Sequence, residues 1–116
     1  MSIVHIPYHI YTKKEILNEV IEDRQKGNES YALFFESGYL EFAVIYRPNR
    51  MFRSVHFAFH ALSAGFDAFT ETGYKSIYAA KIGIGSRLEI EEYIIEQLAE
   101  DGISFREPEP VQLTLF

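Results

Sequence analysis

Cysteine is absent from this chain of 116 residues, so it has no disulfide framework, no thiolate zinc site and no cysteine nucleophile. Basic charge is scarce as well. Eleven lysines and arginines stand against seventeen acidic residues, a net charge of −6, whereas a protein that neutralises nucleic-acid phosphates normally presents a basic face. Direct nucleic-acid binding is therefore disfavoured, and Arg47, Arg50 and Arg53 read as a solvated turn. No stretch approaches the ~20 apolar residues of a membrane-spanning helix. The opening "MSIVHIPYHIYTKKE" also lacks the basic and apolar regions of a secretory signal, so a cytoplasmic location is expected.

What is present is core material. The apolar fraction is 47%, with ten Phe and eight Tyr, enough for one globular domain of this length. The chain divides into a domain over residues 1–106 and an extended tail over 107–116, where "EPEP" cannot continue a helix.

"SIVHIPYHIY" is β-branched and aromatic and reads as a strand, with Pro7 placing it at an edge or a bulge. In "TKKEILNEVIEDRQKG", Thr12 and Glu15 form a capping box, Tyr11 and Ile16 a hydrophobic staple, and Gly27 ends the helix. Ile16, Leu17, Val20 and Ile21 are expected to share its buried stripe. "SYALFFES" and "YLEFAVIYR" are strands joined at Ser37-Gly38 in a hairpin that stops at Pro48-Asn49.

"RSVHFAFHALSAGF" carries both periods. Val55, Phe59, Leu62 and Phe66 keep helical spacing, Val55, Phe57, Phe59 and Ala61 alternate as in a strand, and the length and alanines favour helix. A strand follows in "GYKSIYAAKIG" after the turn at Glu71-Thr72-Gly73. Ser86 and Glu89 then cap a helix with Ile90, Ile94, Ile95 and Leu98 inward and a solvated acidic face. "ISFR" reads as a last short strand. The expected fold is α+β, an antiparallel sheet with two or three helices on one face, a pattern compatible with a ferredoxin-like sandwich.

Histidines come in pairs four residues apart, His5 with His9 and His56 with His60. Either pair shares a face and could clasp a metal if a carboxylate approached. No HExxH-like context accompanies them, so local hydrogen bonding is the expected role and no metal or other cofactor is assigned. Gly83, Gly85 and Ser86 lie before a helix N-terminus, where phosphate can bind. Gly85, Ser86 and Arg87 resemble the opening of nucleotidyltransferase domains, but the metal-binding carboxylate pair of that family is missing, which leaves Ser86 as an N-cap. "FDAFTETGYKS" gathers Asp67, Thr70, Glu71, Thr72, Tyr74 and Lys75 in a polar loop. No serine stands in a nucleophile motif, and no catalytic residue is assigned.

The last five residues, Gln112, Leu113, Thr114, Leu115 and Phe116, resemble the Gln-Leu-x-Leu-Phe peptide by which many bacterial polymerases, repair proteins and mobile-element proteins dock on the sliding clamp. The resemblance implies that Gln112 sits at the edge of the clamp pocket, Leu113 packs near its rim, and Leu115 with Phe116 fills the deep apolar subsite. It implies an accessory protein of bacterial, phage or plasmid replication or repair whose partner is the bacterial sliding clamp. Two other readings stand beside it. One is a small enzyme-like domain using the histidines or the Gly83–Arg87 loop for a metal or small ligand. The other is an oligomerising module, its tail an edge strand with Val111, Leu113 and Leu115 on one face.

Overall fold

The computed structural model describes residues 8–49, 54–80 and 86–103. In chain order these form α1 (Lys13–Gln25), β1 (Tyr31–Ser37), β2 (Leu40–Asn49), β3 (Ser54–Ala61), β4 (Tyr74–Ala80) and α2 (Arg87–Glu100). The α+β class holds. The strands form a four-stranded antiparallel sheet in the order β1-β2-β3-β4, each paired with its sequence neighbour. A ferredoxin-like connectivity would interleave the strands, and these four do not do so.

Strand alternation sends consecutive side chains to opposite faces of the sheet. Phe42, Val44 and Tyr46 of β2 and Val55, Phe57 and Phe59 of β3 point to one side, where they join Ile90, Ile94 and Leu98 of α2 in the larger core. Ala43 and Ile45 of β2 and Ala58 of β3 point to the other, where Ile16 and Val20 of α1 close a smaller one. The helices therefore cover opposite faces, not the single face expected from the sequence. Burial on both sides is also why β3 reads ambiguously: its α1 face carries the buried Ala58 and His60 in place of solvated polar residues, so the polar half of the strand pattern is muted. The helix expected over this stretch is instead a strand, held by ladders to β2 and β4.

Both helix starts follow the sequence. Thr12 Oγ1 accepts from Glu15 N at 3.2 Å while Thr12 N donates to Glu15 Oε1 at 2.8 Å. Ser86 Oγ accepts from Glu89 N at 3.2 Å, and Ser86 N donates to Glu89 Oε1 at 2.8 Å. Tyr11 packs against the cluster that contains Ile16, as a staple would. The stripe expected on α1 is only half right: Ile16 and Val20 are buried, but Leu17 and Ile21 are 49% and 53% exposed. In α2, Ile90, Ile94 and Leu98 are buried and Ile95 packs beside them.

The segment before α1 is bonded at the end of the sheet. His9 N donates to Thr72 O at 2.9 Å and Tyr11 N to Ala61 O at 2.8 Å. Gly73, at φ +87°, brings its Cα so near the His9 carbonyl that a Cβ there would collide with it. Residues 8–12 are not a strand. Residues 2–7 of the expected first strand, and all of the expected last strand but Ile103, lie outside the described residues. No helix among the described residues is long and apolar enough to cross a membrane.

Candidate functional site

On the α1 side of the sheet, alternation brings Arg47 of β2, His56 and His60 of β3, and Tyr74, Ser76 and Tyr78 of β4 to one surface. Glu19 and Asp23, at i and i+4 on α1, reach down to it. Arg47 Nε donates to Asp23 Oδ2 at 2.5 Å and Arg47 Nη2 to Glu19 Oε2 at 2.6 Å. Ser30 Oγ donates to the same Asp23 oxygen at 3.0 Å. Burial opposes the Asp23 carboxylate, but the bonds from Arg47 and Ser30 outweigh it and hold its pKa below the ordinary value. The arginine thus clamps helix to sheet. It is not the solvated turn residue expected, while Arg50 and Arg53 lie outside the described residues.

His56 lies between two groups. Its Nδ1 is 3.4 Å from Arg47 Nη1, and its Nε2 is 2.5 Å from Ser76 Oγ. Because an arginine can only donate, Nδ1 must accept, which puts the proton of the neutral ring on Nε2 and makes His56 the donor to Ser76. Burial first, and Arg47 next, keep His56 below its usual pKa, with Asp23 and Glu19 opposing. A serine nucleophile needs the reverse: a histidine with a free lone pair on Nε2 and a carboxylate behind Nδ1. The contact resembles a dyad only in its distances, and its polarity is wrong for nucleophilic catalysis.

His60 is 1% exposed, and its Nδ1 makes no hydrogen bond among the described residues. Its Nε2 lies 3.8 Å from Glu19 Oε1. Burial pushes its pKa down, opposed by Glu19 and more weakly by the carbonyls of Ala58 and Ala43. Its ring meets Tyr11 and Tyr74 edge-on, with centroids 4.8 and 5.1 Å apart. His9 in turn meets Tyr11 at 4.3 Å, with its Nε2 3.5 Å from Glu15 Oε2, while Tyr78 stacks on His56 at 4.6 Å.

Of the two histidine pairs, His56 and His60 share a face as spacing predicts, and His5 lies outside the described residues. No group of three histidine and acidic side chains converges on a metal position among the described residues. Gly83 and Gly85 also lie outside them, whereas Ser86 is the expected N-cap. In the polar loop, Thr70 and Thr72 turn inward to accept or donate locally: Thr70 Oγ1 donates to Tyr74 O at 2.7 Å. Lys75 reaches Asp101 at 3.4 Å on the α2 side. A cavity lined by Phe42, Phe59, Phe66, Phe69 and Leu98 holds about 10 Å³, room for one water at most. Gln112, Leu113, Leu115 and Phe116 lie outside the described residues.

Sequence reasoning did not find Glu19, Ser76 or Tyr78 as members of one surface. The signal was the two-residue period through β3 and β4, which becomes legible only once β3 is read as a strand. Comparison with family models, with curated proteins and with solved structures gave no match.

Proposed function

We propose that this chain is an accessory protein of bacterial, phage or plasmid replication or repair that docks on the bacterial sliding clamp through Gln112, Leu113, Leu115 and Phe116. The observation that carries the reading is the Gln-Leu-Thr-Leu-Phe sequence at residues 112–116, preceded by the helix-incompatible "EPEP". The reversed polarity of the His56–Ser76 contact argues against its use as a nucleophilic dyad.

Burying two leucines and a phenylalanine gains roughly 1.5–3 kcal/mol each, and ordering five residues costs roughly 1–2 kcal/mol apiece. Gain and cost roughly cancel, so hydrogen bonds and the several pockets of a ring have to supply the net affinity. Titration of the whole protein against a bacterial sliding clamp tests this. Phe116→Ala should cost about 2 kcal/mol or more, about thirtyfold in affinity, while Thr114→Ala at the variable position changes little. Absence of binding by the intact protein, or equal losses in the two variants at unchanged unfolding midpoints, would remove the reading.

A further inference from the structure

The flanks of α1 differ in chemistry. Helical spacing puts Glu15, Glu19 and Glu22 in one row, at i, i+4 and i+7, with Asp23 beside it. Glu19 and Asp23 bond Arg47, which fixes this flank over β3 and towards β4. Lys13, Leu17, Ile21 and Arg24 lie on the other, towards β1, where Lys13 sits 5.8 Å over the Phe34 ring. The acidic flank faces an open strip of sheet. On β4, Tyr74, Ser76 and Tyr78 share the α1 side and are all exposed, Tyr78 by 69%.

Strip and row run side by side. The Glu15 end of α1 lies with His9, Tyr11 and Tyr74, and the Asp23 end with Arg47, His56 and Tyr78. Three residues along the helix row from Glu15 to Glu22 span about 10 Å, and Tyr74 to Tyr78 spans about 14 Å. Between them lie the rings of His60 and His56, both kept neutral near pH 7 by burial, so they do not cancel the carboxylates. Among the described residues, the lysines and arginines on this side are Arg47, bonded to Glu19 and Asp23, and Lys26 beside Asp23 at the helix end. Lys75, the one basic residue of β4, is on the opposite face and reaches Asp101.

We propose that this shelf docks a basic segment of a partner protein, extended along β4, with arginine or lysine side chains laid on Tyr74 and Tyr78 and their charged ends at the α1 carboxylates. Charge complementarity selects the occupant. Tyrosine faces attract guanidinium and ammonium groups, and Glu22 of the acidic row is exposed to solvent. An extended peptide offers a side chain on one face every ~7 Å, the spacing of Tyr74, Ser76 and Tyr78. Among the described residues β4 pairs only with β3, so strand addition at that edge is the matching backbone mode. Nucleic acid could use the same rings for stacking, but its phosphates would meet the acidic row.

The test is fluorescence anisotropy on the whole protein with a labelled peptide of alternating arginine and valine, a matched glutamate–valine peptide, and an oligothymidylate of similar length. The arginine peptide should bind saturably, more weakly as salt rises, and the other two should not. Tyr78→Ser and Glu22→Lys, both at exposed positions, should each weaken it by about threefold to fivefold at unchanged unfolding midpoints, the size of one exposed cation–π or ionic contact. No saturable binding, equal binding of the acidic peptide, preference for the oligothymidylate, or indifference to both substitutions would overturn the assignment. The clamp reading concerns residues 112–116 and is untouched by any of these results.

Discussion

Along β3, Val55, Phe57 and Phe59 pack under α2, while His56, Ala58 and His60 pack under or beside α1. The α2 side is held by large apolar surfaces: Phe42 stacks on Phe35 at 4.6 Å, Phe57 lies 4.9 Å from Tyr93, and Phe59 meets Phe69 at 4.9 Å. The α1 side is held by two alanines, Ile45, Ile16 and Val20, and by the bonds that converge on Arg47. Apolar burial does not depend on direction or pH, so α2 needs only to keep its stripe inward. Ionic attachment depends on geometry and protonation, so α1 is positioned more exactly and held more conditionally. The α1 side, with its small residues and the acidic flank of the helix, is the face of the proposed docking shelf.

The largest effect should fall on the α2 side. Phe57 is fully buried, and Phe57→Ala should cost about 3–5 kcal/mol from lost transfer energy and the cavity left behind. Urea unfolding would show it as a lowered midpoint, and for a domain of ordinary stability the loss approaches the whole. A cost below about 1 kcal/mol would mean that the aromatic core is not the principal support of the fold.

How much of this contrast was legible in the sequence depended on the type of signal. Thr12 with Glu15, and Ser86 with Glu89, are local: each box is closed by atoms three residues apart, so the letters suffice. The hairpin at Ser37-Gly38 is local too. The state of residues 54–61 is not local, because it depends on whether β2 and β4 are there to pair. Leu17 and Ile21 were misread for a related reason. A helix over a face floored by Ala43 and Ala58 buries a narrow stripe, and the width of the stripe is set by the sheet below it. The Arg47 clamp and the shelf beyond it depended on that face assignment. The resemblance at residues 112–116 was legible because a linear peptide carries its signal in five consecutive letters.

A smaller effect should appear on the α1 side as pH falls. With the His60 pKa held below the ordinary imidazole value, the unfolded chain takes up its proton first. The stability due to neutral His60 is therefore complete above about pH 6.5 and is lost as pH falls from there towards the depressed folded value. His56 acts in the same direction. Asp23, whose folded pKa is lowered, contributes above about pH 4 and loses its share only below that, so its window is separate. Unfolding midpoints should decline between neutral pH and about pH 5, and His60→Leu should flatten that decline whatever it does to absolute stability. An identical slope in the variant would show that His60 is not a source of the acid sensitivity.

The smallest effect sharpens the contrast within α1 itself. Val20 and Ile21 are adjacent in sequence and both β-branched, yet Val20 is 7% exposed and Ile21 53%. A helix turns about 100° per residue, so one step carries the side chain from the Ile45 floor to the flank above β1. Val20→Ser removes apolar surface from the smaller core and buries a hydroxyl where no partner is assured, a change that should cost about 2 kcal/mol. Ile21→Ser removes surface already half in water, and should shift stability by only about 0.5 kcal/mol. Urea titrations of the two variants under one set of conditions give the comparison. Equal costs would put Ile21 in a core after all and restore the wide buried stripe. The expected inequality would confine the helix to a narrow seat, with its two flanks left for other contacts.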